Sequence, residues 1–495
     1  MRIYCAREVV AETASGQPPP DAVAVADGAI ADLGPVTALR ARHPGAPVEN
    51  LGDAILLPGL VNAHQHGRGL SQIQLGLADD MLEPWIARRR GRGVPDIYSV
   101  TRFAARQMLR NGVTATLHAN YSHGTGDYEA ELRNTIRAYA DSGLRATICV
   151  GYADRGGLIY PPAEEDGFRA DLPNAVGQLL AAGKPAYLPL EATLSLMDRL
   201  QQELAGHPRI SLAYGPAGPQ WVSDDAWREI AGDAARRGLG IHFHLLESPA
   251  QAGVLRRLYP EGVMRRLESL GVFSTNVSVA HFTQSGPAEI EEAGRLGITV
   301  VAHPGSNLRL CNGAPPVGEW LAAGLTVAVG TDNCALDDNE DYLSELRLAA
   351  MFARGSCYLP QDARSVLAMG TRHGARAMFL PDGGLIAVGE PADLTAFSLT
   401  RSRSPWLDHR CGVLDLLLAR GNGTDVMMTM VAGEVLHRSS PEAMVPDPIA
   451  QAAGQAAHDA REPTRATQLA AESLADAVRV HYNSLITLPD HRSNV

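Results

Sequence analysis

Between Leu60 and about Leu380 the sequence alternates between eight short apolar runs and longer amphipathic segments, and this texture restricts the fold more than any other feature. The runs are Leu60 to Ala63, Val113 to Leu117, Ala146 to Val150, Ile210 to Tyr214, Gly240 to Phe243, Val277 to Ala280, Ile298 to Ala302 and Leu325 to Val329. Strands that stay apolar at successive positions are covered on both faces, as in a parallel sheet, and eight of them predict a (β/α)8 barrel. The intervening segments predict helices over Ser99 to Arg110, Glu129 to Asp141, Asp224 to Arg237, Pro249 to Leu270, Glu289 to Leu296 and Tyr342 to Phe352. Ser223, ahead of Asp224-Asp225, suits an N-cap, with the acids at the positive end of the helix dipole.

Both flanks of this region are β-rich. Short strands are expected at Arg2 to Tyr4, Ala22 to Val25, Ala29 to Leu33 and Ala54 to Leu57, and β texture returns beyond Leu380. Neither flank is large enough to bury its own faces, so the economical arrangement joins residues 1–57 and 381–440 into one small β-sandwich domain beside a barrel spanning 58–380. Residues 441–495, rich in Ala and Gln with one helix expected over Gln468 to Tyr482, read as a peripheral tail or a homo-oligomer contact.

A net charge of −12, with no basic stripe, argues against a nucleic-acid partner. The one dense cationic run, Arg88-Arg89-Arg90-Gly91-Arg92, reads as a solvated helix end rather than an anion site. Six scattered cysteines without a C-x-x-C pair fit neither a cysteine zinc motif nor a disulfide framework. The N-terminus lacks a signal-type apolar core, and no run of about 18 uncharged apolar residues occurs. A cytoplasmic protein acting on a small molecule, away from membranes, is expected.

Chemistry gathers at the ends of the apolar runs. The first ends in His64-Gln-His66, whose side chains project the same way from a strand. Alone, that pair reads more readily as a hydrogen-bonded or partly exposed couple than as the start of a metal site. The fifth run carries His242-Phe-His244-Leu-Leu-Glu247, the sixth ends in His281, the seventh in His303, and the eighth leads into Gly330-Thr331-Asp332-Asn333. In a barrel these strand ends share one mouth. With only 16 histidines in 495 residues, their joint placement predicts one divalent-metal site.

Pro58 to His66, His242 to Glu247, Val301 to Gly313 and Val329 to Asn333 resemble the amidohydrolase superfamily, in the branch of cytosine, guanine and S-adenosylhomocysteine deaminases and triazine hydrolases. The stretch Gly383 to Leu394, with its Gly-x-Ile-Ala-x-Gly-x-Pro-Ala-Asp pattern, resembles that branch as well. The resemblance implies a distorted barrel with a composite β-sandwich and one metal ion, zinc with iron the alternative, held by His64, His66, His244 and Asp332. It also implies Glu247 as proton shuttle and His281 beside the attacked centre; on chemical grounds Asp332 can accept the water's proton or orient the hydroxide, and His281 can donate to, or polarise around, the developing oxyanion. The implied activity is hydrolytic deamination of an aminated purine, pyrimidine, pterin or triazine. The alternatives are hydrolysis of a cyclic amide, removal of another leaving group from such a ring, or a catalytically silent binding protein.

The chain departs from this pattern in places. Its one lysine, Lys184, is not on the fourth run, where two-metal members carry a carboxylated lysine. Ala217 replaces a histidine common among relatives. His303-Pro-Gly-Ser-Asn307 is one residue shorter than the usual motif. Gln72, Trp85, Gln220, Trp221 and His303 are the candidates for substrate contact, and ordinary loop packing is the competing reading for each. His242 reads as a packing or supporting group.

Overall fold

The computed structural model describes residues 1–12, 19–182, 186–332, 338–357, 362–380, 382–439, 447–461 and 464–484. Eight parallel strands follow one another in chain order: β1 (Leu60–Gln65), β2 (Val113–Ala119), β3 (Arg145–Tyr152), β4 (Ile210–Pro216), β5 (Ile241–Leu245), β6 (Val277–His281), β7 (Thr299–Ala302) and β8 (Thr326–Val329). All seven residues of β2 are buried, which explains why such strands show no polar alternation.

The barrel is distorted at its seam. Among the described residues no ladder joins β8 to β1. Side chains bridge the gap instead: Asn62 donates from Nδ2 to Thr331 Oγ1 (2.9 Å) and accepts at Oδ1 from the Thr331 N–H (3.1 Å), while the Asp332 N–H donates to the His64 carbonyl (3.1 Å). The Tyr342 hydroxyl lies 2.5 Å from the Val61 carbonyl and 2.8 Å from that of Val329. Gly330 permits this approach, since a Cβ there would stand 2.8 Å from the backbone N and O of His64.

Helices fill the crossovers. Ser223 caps Asp224–Arg237 by accepting at Oγ from the Ala226 N–H. The segment expected as one helix from Pro249 to Leu270 is two, Pro249–Leu258 and Val263–Ser269. Pro260 has no N–H to continue the ladder, and Gly262 turns the chain at φ +101°. A helix at Leu190–Glu203, not picked out from the sequence, buries Thr193, Leu196, Met197 and Leu200 at helical spacing.

The two chain ends interleave. A five-stranded sheet runs in the order Glu434–Arg438, Val426–Val431, Leu394–Ser398, Ala54–Pro58, Glu8–Val9, with Thr395 opposite Leu57 on antiparallel neighbours. A four-stranded sheet from the N-terminal residues packs against it, and Tyr4, Val23 and Val25 share one buried cluster with Leu56, Ala396 and Met428. A composite β-sandwich results.

The C-terminal segment is not peripheral. Helix Arg465–Asn483 packs along helix Leu82–Arg89, burying Leu474, Ala475, Val478 and Tyr482 in one cluster with Ala87, Leu158 and Val254. Arg479 pairs with Asp80, Arg88 with both Asp80 and Glu472, and the Tyr482 hydroxyl donates to the Leu158 carbonyl (2.8 Å). The sequence reading missed this because the apolar stripe of the helix has no visible partner in its own neighbourhood. No described helix is long and apolar enough to cross a membrane.

Candidate metal and catalytic site

The strand ends place His64, His244, His281 and Asp332 so that one donor atom from each lies within 4.8 Å of all the others. His66 faces the same centre, its Nε2 standing 3.3 Å from Asp332 Oδ1; His64 Nε2 is 3.4 Å from that oxygen. The rings of His66 and His244 are stacked, 5.4 Å apart.

Hydrogen bonds fix which nitrogen each imidazole offers. His66 Nδ1 donates to the Ala119 carbonyl (2.7 Å) and His244 Nδ1 to the Ala217 carbonyl (3.0 Å), leaving Nε2 of each with its lone pair. Because Ala217 acts here through its backbone, loss of a histidine side chain at that position does not disturb His244. His64 is set through a longer chain. The Ser278 hydroxyl donates to the Ala377 carbonyl (2.9 Å) and therefore accepts from His242 Nδ1–H (2.7 Å); His242 Nε2 then accepts from His64 Nδ1–H (2.7 Å). Among the described residues His64 Nε2 is left buried without a hydrogen-bond partner, as is His281 Nε2. Burial drives His64 and His242 well below the ordinary imidazole pKa and His244 down to about 3, so these rings are neutral. Bare, inward-facing imidazole nitrogens beside a carboxylate suit a divalent cation of the zinc type, and orphaned buried nitrogens call for one.

Asp332 is buried, which raises its pKa, but the adjacent His64, His66 and His281 imidazoles outweigh this and hold the carboxyl well below its usual range. Its second oxygen accepts from the Ser306 hydroxyl (2.6 Å). His281 Nδ1 lies 2.9 Å from Asn307 Oδ1. Ser306 and Asn307 sit on the short helix Pro304–Arg309 that follows β7, and sequence reasoning gave them no role. The available signal was a Ser-Asn pair three and four residues beyond a strand-end histidine. Asp332 (φ +64°), His281 (φ +71°) and Leu246 (φ +50°) all occupy the left-handed region, a cost of about 1–3 kcal/mol each that recurs where a backbone must aim a side chain.

Glu247, 4% exposed, accepts from Asn312 Nδ2 (3.2 Å), and its Oε1 lies 3.5 Å from His281 Nε2. Burial first, then the neighbouring Asp332 and Glu83 carboxylates, push its pKa well above the ordinary value. Asn333 and Lys184 lie outside the described residues.

Above this floor opens a cavity of about 490 Å3 that reaches His66, His244, Glu247 and Asp332. Of the proposed substrate contacts, Trp85 and Trp221 line it. Gln72, Gln220 and His303 do not: Gln72 stands behind Trp85, accepting its indole N–H (3.0 Å), Gln220 is fully buried, and His303 packs beneath His64 and His281. Arg89, Arg90 and Arg92 do line it, correcting the reading of that run as a solvated helix end. Helix Arg465–Asn483 packs against Leu82–Arg89, while Leu82, Trp85, Ile86 and Arg89 of the latter line the cavity.

A sequence model of the amidohydrolase family matches residues 55–436. The chain is 31% identical over 425 residues to a 5-methylthioadenosine/S-adenosylhomocysteine deaminase of Nitratidesulfovibrio vulgaris, covering 84% of this chain and 87% of the relative. It is 30% identical over 423 residues to a 5′-deoxyadenosine deaminase of Methanosarcina barkeri, with coverage of 84% and 87%. Among solved structures, an adenosine deaminase from Xanthomonas campestris with bound zinc superposes at a TM-score of 0.75 and 26% identity, covering 92% of this chain and 97% of that one.

Proposed function

Since the chain belongs to the amidohydrolase family, we propose that it is a zinc-dependent hydrolase that deaminates the 6-amino group of an adenine-type nucleoside, releasing ammonia. The observation that carries this reading is Glu247, a deeply buried acid beside His281 and the bare imidazole nitrogens, opening on a cavity large enough for a nucleoside. The names of the relatives supply the adenine ring; the site supplies the chemistry.

His64, His66, His244 and Asp332 would hold the metal. His281 falls within the same cluster, but its Nδ1 is tied to Asn307 and its Nε2 faces Glu247, so we assign it to the reaction rather than to the ligand set. When bound, the ion supplies Lewis acidity that makes hydroxide available near pH 7, where free water titrates at about 15.7. Asp332, ionised and held at Oδ2 by Ser306, presents Oδ1 to take the proton of the attacking water. Glu247, kept protonated by burial, gives its proton to the ring nitrogen beside the attacked carbon. It regains one from the water-derived hydroxyl to deliver to the departing amine, and the proton held by Asp332 restores it at the end of the cycle. His281, carrying its proton on Nδ1 toward Asn307, offers Nε2 as an acceptor that orients the water, where the sequence reading expects a donor to the oxyanion.

The test is ammonia release from adenosine and 5′-deoxyadenosine by zinc-loaded protein, with cytosine, pterin and an aminotriazine as comparisons. Turnover of the purine nucleosides well above the others is expected. Release from cytosine alone, or none from any ring, overturns the reading.

A further inference from the structure

Resting on the heterocycle-deaminase reading above, we propose that the cavity contains an anion subsite, formed by Arg68 and Arg89 around Trp85, that selects substrates bearing a carboxylate or phosphate beside the ring. Arg68 stands two residues beyond His66. Its Nε donates to the Tyr121 hydroxyl (3.1 Å), and its guanidinium carbon lies 4.8 Å from the Tyr121 ring centre and 5.1 Å from that of Trp85. Arg89 closes helix Leu82–Arg89 with its guanidinium carbon 4.8 Å from the same indole. Both side chains line the cavity.

Among the described residues these two cations differ from their neighbours in that Nη1 of each has no acceptor at all. Arg88 pairs with Asp80 and Glu472, Arg90 Nη1 donates to the Leu180 carbonyl (2.8 Å), and Arg92 Nη1 donates to that of Leu75 (2.9 Å). Among the described residues neither Arg68 nor Arg89 makes an ion pair, and the Nη1 of each is buried with no acceptor. Among the described residues the acidic side chains that line the cavity are Glu247 and Asp332, and both are engaged at its floor. Stacking on an indole uses the face of a guanidinium and leaves its in-plane N–H groups pointing outward, the geometry that grips a carboxylate or phosphate. Two cations held against one indole also repel each other, and a bound anion relieves this.

The test is calorimetric binding to zinc-loaded Glu247→Gln protein, which holds ligand without consuming it. Two matched pairs serve as probes, adenosine with adenosine 5′-monophosphate and pterin with pterin-6-carboxylate. The anionic member of at least one pair should bind about 10- to 100-fold more tightly, and the pair that shows it identifies phosphate or carboxylate as the source. That ratio should fall towards one in Arg68→Met and Arg89→Met and be partly kept in Arg89→Lys. Should a variant fail to fold, raising salt from about 0.05 to 0.5 M on the parent protein should shrink the ratio. Equal affinity within both pairs, no binding of any probe, or a ratio indifferent to both Met variants overturns the subsite. Loss of the deaminase reading is a separate result: no ammonia from the wild-type enzyme while the anion preference persists.

Discussion

At the floor of the cavity, His66 and His244 each commit Nδ1 to a carbonyl and His64 commits its own to His242, and all three turn the other nitrogen to a common centre. At the rim, Arg68 and Arg89 stack on Trp85, and Nη1 of each has no acceptor among the described residues. The floor is finished by the protein and needs only a cation; the rim is finished by what enters. The strand ladders fix the floor, whereas a loop after β1, one helix and a distant C-terminal helix assemble the rim. Chemistry common to a family can therefore stay on the strands while specificity is set by elements that vary independently.

The largest effect expected at the floor is from Glu247→Gln, which should lower kcat by about 10²–10⁴-fold while zinc content, read by atomic absorption, stays at the wild-type level. In the wild type, activity should fall as pH rises through the raised pKa of Glu247, because the protonated form does the work; the direction follows from burial. A Gln variant that kept the wild-type rate would detach the acid role from this residue and merge floor and rim into one binding site.

A smaller effect separates ligand from support. His242→Ala removes the acceptor that holds the His64 proton on Nδ1, and zinc affinity measured against a competing chelator should weaken about 10–100-fold. Ser278→Ala, one step further along the chain to Ala377, should weaken it less. An unchanged affinity in His242→Ala would mean that the tautomer of His64 is set by the metal itself.

The same contrast explains how much the sequence revealed. The eight strands and the strand-end residues His64, His66, His244, Glu247, His281 and Asp332 could be singled out because a buried parallel strand leaves an unbroken apolar run that ends at the mouth of the barrel. Gln72, Gln220 and His303 were misjudged because loop or strand-end position does not tell which way a side chain points. Arg89 was misjudged because a run of arginines at a helix end usually faces water, whereas here the helix that carries it lies against residues 465–483 and lines the cavity. The His64–His242–Ser278 chain joins β1, β5 and β6. No local pattern encodes such a contact.

The smallest predicted effect probes that docking. Asp80, 7% exposed, accepts from Arg88, Arg479 and the Met81 N–H (2.8 Å). Burial raises its pKa, yet the two arginines and the backbone N–H together leave it below the ordinary carboxyl value. A depressed carboxyl stabilises the folded state fully above the unfolded pKa and loses that contribution as pH falls through the folded one, so the docked helices should loosen below about pH 4. Asp80→Asn should cost about 1–2 kcal/mol in urea unfolding at pH 7, and the difference from wild type should shrink in acid. Zinc affinity should not change, because none of these groups reaches the floor. If it fell along with stability, rim and floor would form one cooperative unit, and substrate loading at the rim would then be coupled to metal retention beneath it.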